Sequence, residues 1–159
     1  MNQGRTANMQ GANLEGIVID TMCRKGLALV NYVDWIKRPQ KYGEELLLKN
    51  VPYTSIYGHE GRTEFKIKSC RYGEYRIECK WQQVAGSVDE KFPYVYLNCV
   101  ESLPEKNIII LVDGGGAKDG AVRWLKSAAA NKLFIKDIDK NIKVMDLRDF
   151  IVWANTNFR

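Results

Sequence analysis

Histidine is almost missing from this chain: His59 stands alone among 159 residues. The four cysteines, Cys23, Cys70, Cys79 and Cys99, include no Cys-x-x-Cys pair. A structural zinc site draws four Cys or His ligands close together, so none is expected here. Long apolar runs are missing too. The longest, Ile108-Ile109-Ile110-Leu111-Val112, is far too short to cross a bilayer. The opening Met1-Asn2-Gln3-Gly4-Arg5 leads into polar residues, without the apolar stretch of a secretory signal. The expectation is an intracellular, cytoplasmic protein with reduced thiols, no disulfides and no membrane partner. Internal repeats, low-complexity segments and linkers are absent as well.

What remains is ordinary globular material, 45% hydrophobic and 27% charged. The net charge of +5 leans towards a polyanionic partner without identifying one. The length suits one domain. Residues 1–9 read as a flexible tail and residues 10–159 as a single folded unit. Leu14, Ile17, Val18 and Met22 fall at helical spacing, which predicts a helix over 12–25 closed by Gly26 in a left-handed cap. Residues 27–35 are rich in β-branched and aromatic types and read as a strand. Residues 37–43 are a loop around Pro39, and 44–49 fit either a helical turn or an extended segment. Strands follow over 53–57, 62–68 and 75–82, separated by turns at Gly58-His59-Glu60-Gly61 and around Gly73. The last two suggest an antiparallel hairpin. A helix over 93–103, an apolar strand over 107–112, a helix over 120–131, a short strand over 142–145 and a helix over 147–155 complete the order. The class is α/β: a central mixed sheet flanked by helices.

The chemistry concentrates in Glu78-Cys79-Lys80-Trp81-Gln82. A strand alternates its faces, so Glu78, Lys80 and Gln82 project together and Ile77, Cys79 and Trp81 project into a core. Spending three same-side positions of a buried strand on Glu, Lys and Gln is unusual. Glu64 stands on the polar face of the preceding strand, and pairing of the two strands brings it beside Glu78. Two carboxylates are hard oxygen ligands suited to Mg²⁺, whose remaining positions go to water and phosphate. Such an ion polarises a phosphodiester and acidifies a bound water, and the Lys80 ammonium can orient that water or stabilise developing charge. The competing explanation is a cross-strand Glu–Lys pair on an exposed sheet edge.

Arg62-Thr63-Glu64-Phe65 followed by Arg76-Ile77-Glu78-Cys79-Lys80-Trp81-Gln82 resembles the acidic-x(n)-(D/E)-x-K signature of the PD-(D/E)XK, restriction-endonuclease-like nucleases. The continuation Gln83-Val84-Ala85-Gly86-Ser87-Val88-Asp89-Glu90-Lys91, with Val112-Asp113-Gly114-Gly115-Gly116, is similar to small bacterial and phage members. The resemblance implies a restriction-endonuclease-like core in a bacterial or phage-infected cell. It implies hydrolysis of DNA phosphodiesters with Mg²⁺, for which Mn²⁺ would substitute. Glu64 and Glu78 would be the metal ligands and Lys80 the residue that positions the nucleophile. Gln82 matches a supporting polar position, and Glu15 matches a glutamate that the first helix contributes near the metal. The Pro-Asp of the family name is absent; Thr63-Glu64 replaces it, and glutamate is one methylene longer. Glu60 and Glu74 are lower-ranked alternatives because both fall in turns.

Further stretches carry a functional and a plain reading. Gly115 and Gly120 have phosphate-loop spacing, but Ala121-Val122 follows where Lys-Ser/Thr is required. Asp119 occupies the third glycine position of a dinucleotide fingerprint, so no nucleotide cofactor is expected. The glycines then make a tight strand-to-helix turn, or hold a DNA phosphate on backbone N–H groups with Lys118 and Arg123 helping. Ser87 and Asp89 cap the next helix, or Ser87 and Lys91 touch the DNA backbone. Lys66, Lys68, Arg71 and Arg76 line a groove or solvate a sheet edge. Trp35, Trp81, Trp124 and Trp153 are expected in the core. The expectation is a type II restriction-like endonuclease. The alternatives are a structure-specific nuclease or junction resolvase, or a DNA-binding relative without catalysis. Cutting both strands of a duplex needs two active sites, so a homodimer is expected.

Overall fold

The strand alternation read from sequence becomes a six-stranded sheet in the computed structural model, which describes residues 3–82 and 86–159. The strands are β1 (Ala28–Asn31), β2 (Glu45–Thr54), β3 (Glu60–Ser69), β4 (Gly73–Trp81), β5 (Asn107–Asp113) and β6 (Asn141–Met145). They lie side by side in chain order. β1 and β2 are parallel; β2, β3 and β4 form an antiparallel meander; β4, β5 and β6 are parallel again. Five helices flank the sheet: α1 (Gln3–Arg24), α2 (Tyr32–Lys37), α3 (Val88–Glu101), α4 (Asp119–Ala130) and α5 (Leu147–Asn157). This is the α/β, restriction-endonuclease-like arrangement. Among the described residues no helix is long and apolar enough to cross a membrane.

Each side of the sheet has its own core. Leu14, Val18 and Met22 of α1 and Phe150, Trp153 and Ala154 of α5 pack with Leu47, Phe65, Ile67, Ile77, Cys79, Ile109 and Leu111. On the other side, Phe92, Val95, Tyr96 and Cys99 of α3 and Leu125, Ala128 and Ala129 of α4 pack on Ile108, Ile110 and Val112. β5 is buried on both faces, as its unbroken apolar run requires. A smaller cluster of Leu46, Leu48 and Val51 lies under Tyr32 and Trp35 of α2.

Several elements differ from expectation. α1 begins at Gln3, so residues 3–9 of the segment read as a tail are helical; they include no proline to stop the helix. Gly26, at φ +90°, ends the helix region as expected. The strand expected over 27–35 stops at Asn31 and the chain turns into α2. Residues 45–49 are extended and join 53–54 in a single β2, while 55–58 turn. Asn50, at φ 56°, drops out of the β2–β3 pairing, which keeps one register from Lys49↔Phe65 to Val51↔Thr63. Pro93 lies inside α3 rather than at its start. Trp124 is 39% exposed rather than core, meeting Tyr96 edge-on at 6.0 Å. Gln83, Val84 and Ala85 fall outside the described residues.

Candidate active site

β3 and β4 pair from Ser69↔Gly73 to Phe65↔Ile77, where the ladder ends. Beyond that point β3 stays with β2 and β4 stays with β5. The two strands therefore fork at Glu64 and Glu78. Phe65 and Ile77 are packed under α1, so the alternation puts Glu64 and Glu78 together on the opposite side. At the fork, Glu64 Oε2 accepts the Cys79 N–H at 2.6 Å, satisfying a backbone donor beyond the last ladder pair.

Glu78 is 6% exposed. One of its oxygens is ion-paired with the Lys80 ammonium, and the other is buried with no hydrogen-bond partner among the described residues. Burial, reinforced by the charge of Glu78, pushes the Glu64 carboxyl up to about 7. Burial pulls the Lys80 ammonium down, but Glu78 and Glu64 outweigh it and hold the group above the ordinary lysine range. The site is thus short of positive charge by its own electrostatics. A buried, unpartnered carboxylate oxygen beside a second carboxylate that resists ionising suits a hard divalent cation. Among the described residues no third His, Cys, Asp or Glu joins them in a metal-holding group. Magnesium tolerates that, because it keeps several waters and takes substrate oxygens.

Gln82 follows the end of β4 and is 9% exposed. Its N–H donates to Asp113 O at 2.9 Å, and its carbonyl accepts the Gly116 N–H at 2.7 Å. Its Nε2 lies 3.5 Å from Gly116 O. Gly114, at φ +106°, lies so close that a Cβ would stand 2.3 Å from Gln82 O. The glycine run is therefore a clamp on the end of β4. Asp113 fixes it from below, accepting from Gly114 N at 2.6 Å and Leu147 N at 2.8 Å.

Glu15 is placed elsewhere. α1 packs on the Ile77 and Cys79 side of the sheet, and the Glu15 carboxylate pairs with Lys49 at 3.8 Å. The structure does not bring it onto the Glu64–Glu78 pair. Ser87, at the start of α3, makes no side-chain capping bond, and Lys91 is exposed on that helix. Asp89 Oδ1 accepts the Lys118 N–H at 3.2 Å, so a carboxylate sits at the start of α4 where a phosphate was envisaged. Arg123 is exposed beside Lys126 in a cavity of about 440 Å³ near the clamp.

Two features were not found by sequence reasoning. Tyr53 of β2 lies on the Glu78 side; burial and the charge of Glu78 push its phenol up to about 12. Lys66 and Arg76, read as lining a groove or solvating a sheet edge, are instead spent internally. Glu105 Oε1 takes Arg76 Nη1 at 3.1 Å and Lys66 Nζ at 3.0 Å, and Glu74 takes Lys66 at 2.9 Å. Arg76 shares the face of Glu78, two residues away, but its partner Glu105 is a loop residue that no local pattern links to β4.

An acidic pair at a strand fork with a lysine two positions on, in a sheet of this order, is the anatomy of a nuclease fold. The PD-(D/E)XK nuclease superfamily domain matches residues 6–158, and the chain belongs to that superfamily. No curated protein and no solved structure gives a significant match.

Proposed function

We propose that the protein is a divalent-metal-dependent endonuclease that hydrolyses phosphodiester bonds in DNA. The observation that carries the reading is the fork: Glu64 and Glu78 on one side of diverging strands, with the Lys80 ammonium on Glu78. Glu64 and Glu78 would hold Mg²⁺, or Mn²⁺ in its place. A bound ion of this kind supplies charge neutralisation at the phosphate and a more acidic water. Lys80, held as an ammonium by its two acidic neighbours, orients the attacking water and stabilises negative charge gathering on the phosphate. Gln82 and the glycine clamp fix the end of β4, so that Glu78 and Lys80 keep their spacing. Lys118, Arg123, Ser87 and Lys91 are the candidates for contacts along the DNA backbone. A homodimer would supply the second active site that double-strand cutting requires.

The test is incubation of supercoiled plasmid, a large phage genome, single strands and a four-way junction with the protein and Mg²⁺, beside Lys80→Ala. Wild type is expected to cut at least one of them, and Lys80→Ala to be slower by about 10²-fold or more. Equal cutting by both proteins, or none of any substrate by wild type, refutes the reading.

A further inference from the structure

A cavity of about 480 Å³ opens on the same side of the sheet as Glu78, bounded by α2, β2 and the segment after α3. Tyr32, Trp35 and Tyr53 give it aromatic walls, and Lys66, Arg76 and Glu105 give it a charged floor. Tyr32 and Trp35 stand 5.7 Å apart between ring centroids, and the Arg76 guanidinium lies 6.0 Å from the Tyr53 ring. Tyr53 packs against the α3 and α4 cluster, on the Glu78 side of the sheet.

The floor is buried yet unfinished. Arg76 is 3% exposed and Glu105 2% in their side chains. Arg76 Nη2 reaches Pro52 O at 2.8 Å and Val51 O at 3.4 Å. Arg76 Nε and Glu105 Oε2 nevertheless have no partner among the described residues. Aromatic walls over a charged floor suit the flat face and polar edge of a π system.

Position narrows the ligand. Arg76 and Glu78 are neighbours on one face of β4, roughly 6.5–7 Å apart along the strand, which is comparable to one nucleotide step of an extended strand. Resting on the nuclease reading, we infer that this cavity receives one nucleobase of the substrate, out of its stack, beside the phosphodiester at Glu64, Glu78 and Lys80. The substrate class is then a strand with an unstacked base next to the cut: single-stranded or branched DNA, or a duplex from which the base is extruded.

The experiment uses the Lys80→Ala protein, Mg²⁺ and fluorescein-labelled single strands carrying 2-aminopurine at successive positions. Anisotropy reports binding, and 2-aminopurine emission reports stacking. Emission is expected to change by about threefold or more at one position, as the probe base enters the aromatic walls. Trp35→Leu, and Tyr32→Leu as a second variant, each checked for an unchanged melting profile, should lose that change while anisotropy still shows binding. Binding with no emission change at any position overturns the inference, as does an absence of strand binding. An emission change that persists in both variants removes the cavity as its location. Failure of the nuclease reading is separate: wild type and Lys80→Ala would treat every substrate of the cleavage test alike, whatever the emission does.

Discussion

At the scale of the residue, the site is governed by two carboxylates that resist sharing one buried spot. Glu64 holds its proton up to about pH 7, against an ordinary value of 4.5, because of burial and then Glu78. Between those values the folded protein binds a proton that the unfolded chain releases. Stability from this group is therefore full below about pH 4.5 and is lost as pH rises through 7. Glu64→Gln keeps an acceptor for Cys79 N–H and removes the charge. In metal-free buffer it should raise the melting temperature at pH 8 and leave it nearly unchanged at pH 4.5; equal effects at both pH values contradict the account. The same proton competes with metal, so wild-type Mg²⁺ affinity should climb as pH rises from 6 to 8. Calorimetric titration checks this, and a flat profile argues against Glu64 as a ligand. The shared side of Glu64, Glu78 and Lys80 was legible because period-two alternation fixes the side on which a strand residue stands. The side of Glu15 was not, because a helix position says nothing about which face of the sheet the helix will cover.

At the scale of the element, the end of β4 is held by backbone fit rather than by side-chain chemistry. Gly114 combines φ +106° with a Cβ position 2.3 Å from Gln82 O, whereas Gly115, at φ +71°, meets nothing within 4 Å. Gly114→Ala should cost at least about 2 kcal/mol and slow cleavage, since the β4 end must move; Gly115→Ala should cost about 1 kcal/mol through backbone strain alone. Urea denaturation of the two variants separates them, and similar losses would deny the clamp. The Arg76–Glu105 pair makes a second link, from β4 to the loop after α3. Glu105→Ala leaves a buried guanidinium with its main partner gone and should destabilise by about 3–5 kcal/mol; a loss below 1 kcal/mol in the same assay would show the pair to be dispensable. The sequence pattern located the glycine turn but not what it grips, because the contact is between backbones. It also misread Tyr32–Lys37. Tyr, Val, Trp and Ile favour strands locally, yet the chain there is helical and lays Tyr32 and Trp35 over Leu46 and Leu48, so packing overrode propensity.

At the scale of the whole molecule, the sheet separates an apolar side from a side that carries buried charge. The α1 and α5 side is closed by a continuous apolar cluster running from Leu14 to Phe158. On the other side the apolar packing of α3 and α4 gives way, across β3 and β4, to Glu64, Glu78, Lys80 and the Arg76–Glu105 pair. Element order and the apolar run of β5 were enough to read this α/β layering, because each helix must cover one sheet face. Which face carries the charge was settled only by register. The charged side stores unfavourable burial that a cation would relieve, so metal and global stability should be linked. A ligand at a hundredfold excess over its Kd adds about 2.7 kcal/mol. For a chain of this length that is a rise of about 5–10 °C in melting temperature. Wild type with saturating Mg²⁺ should show that rise, while Glu78→Ala, lacking the unpartnered oxygen, should show almost none. An equal rise in both proteins would place the ion away from the fork, and with it the metal-binding part of the proposed function would fall.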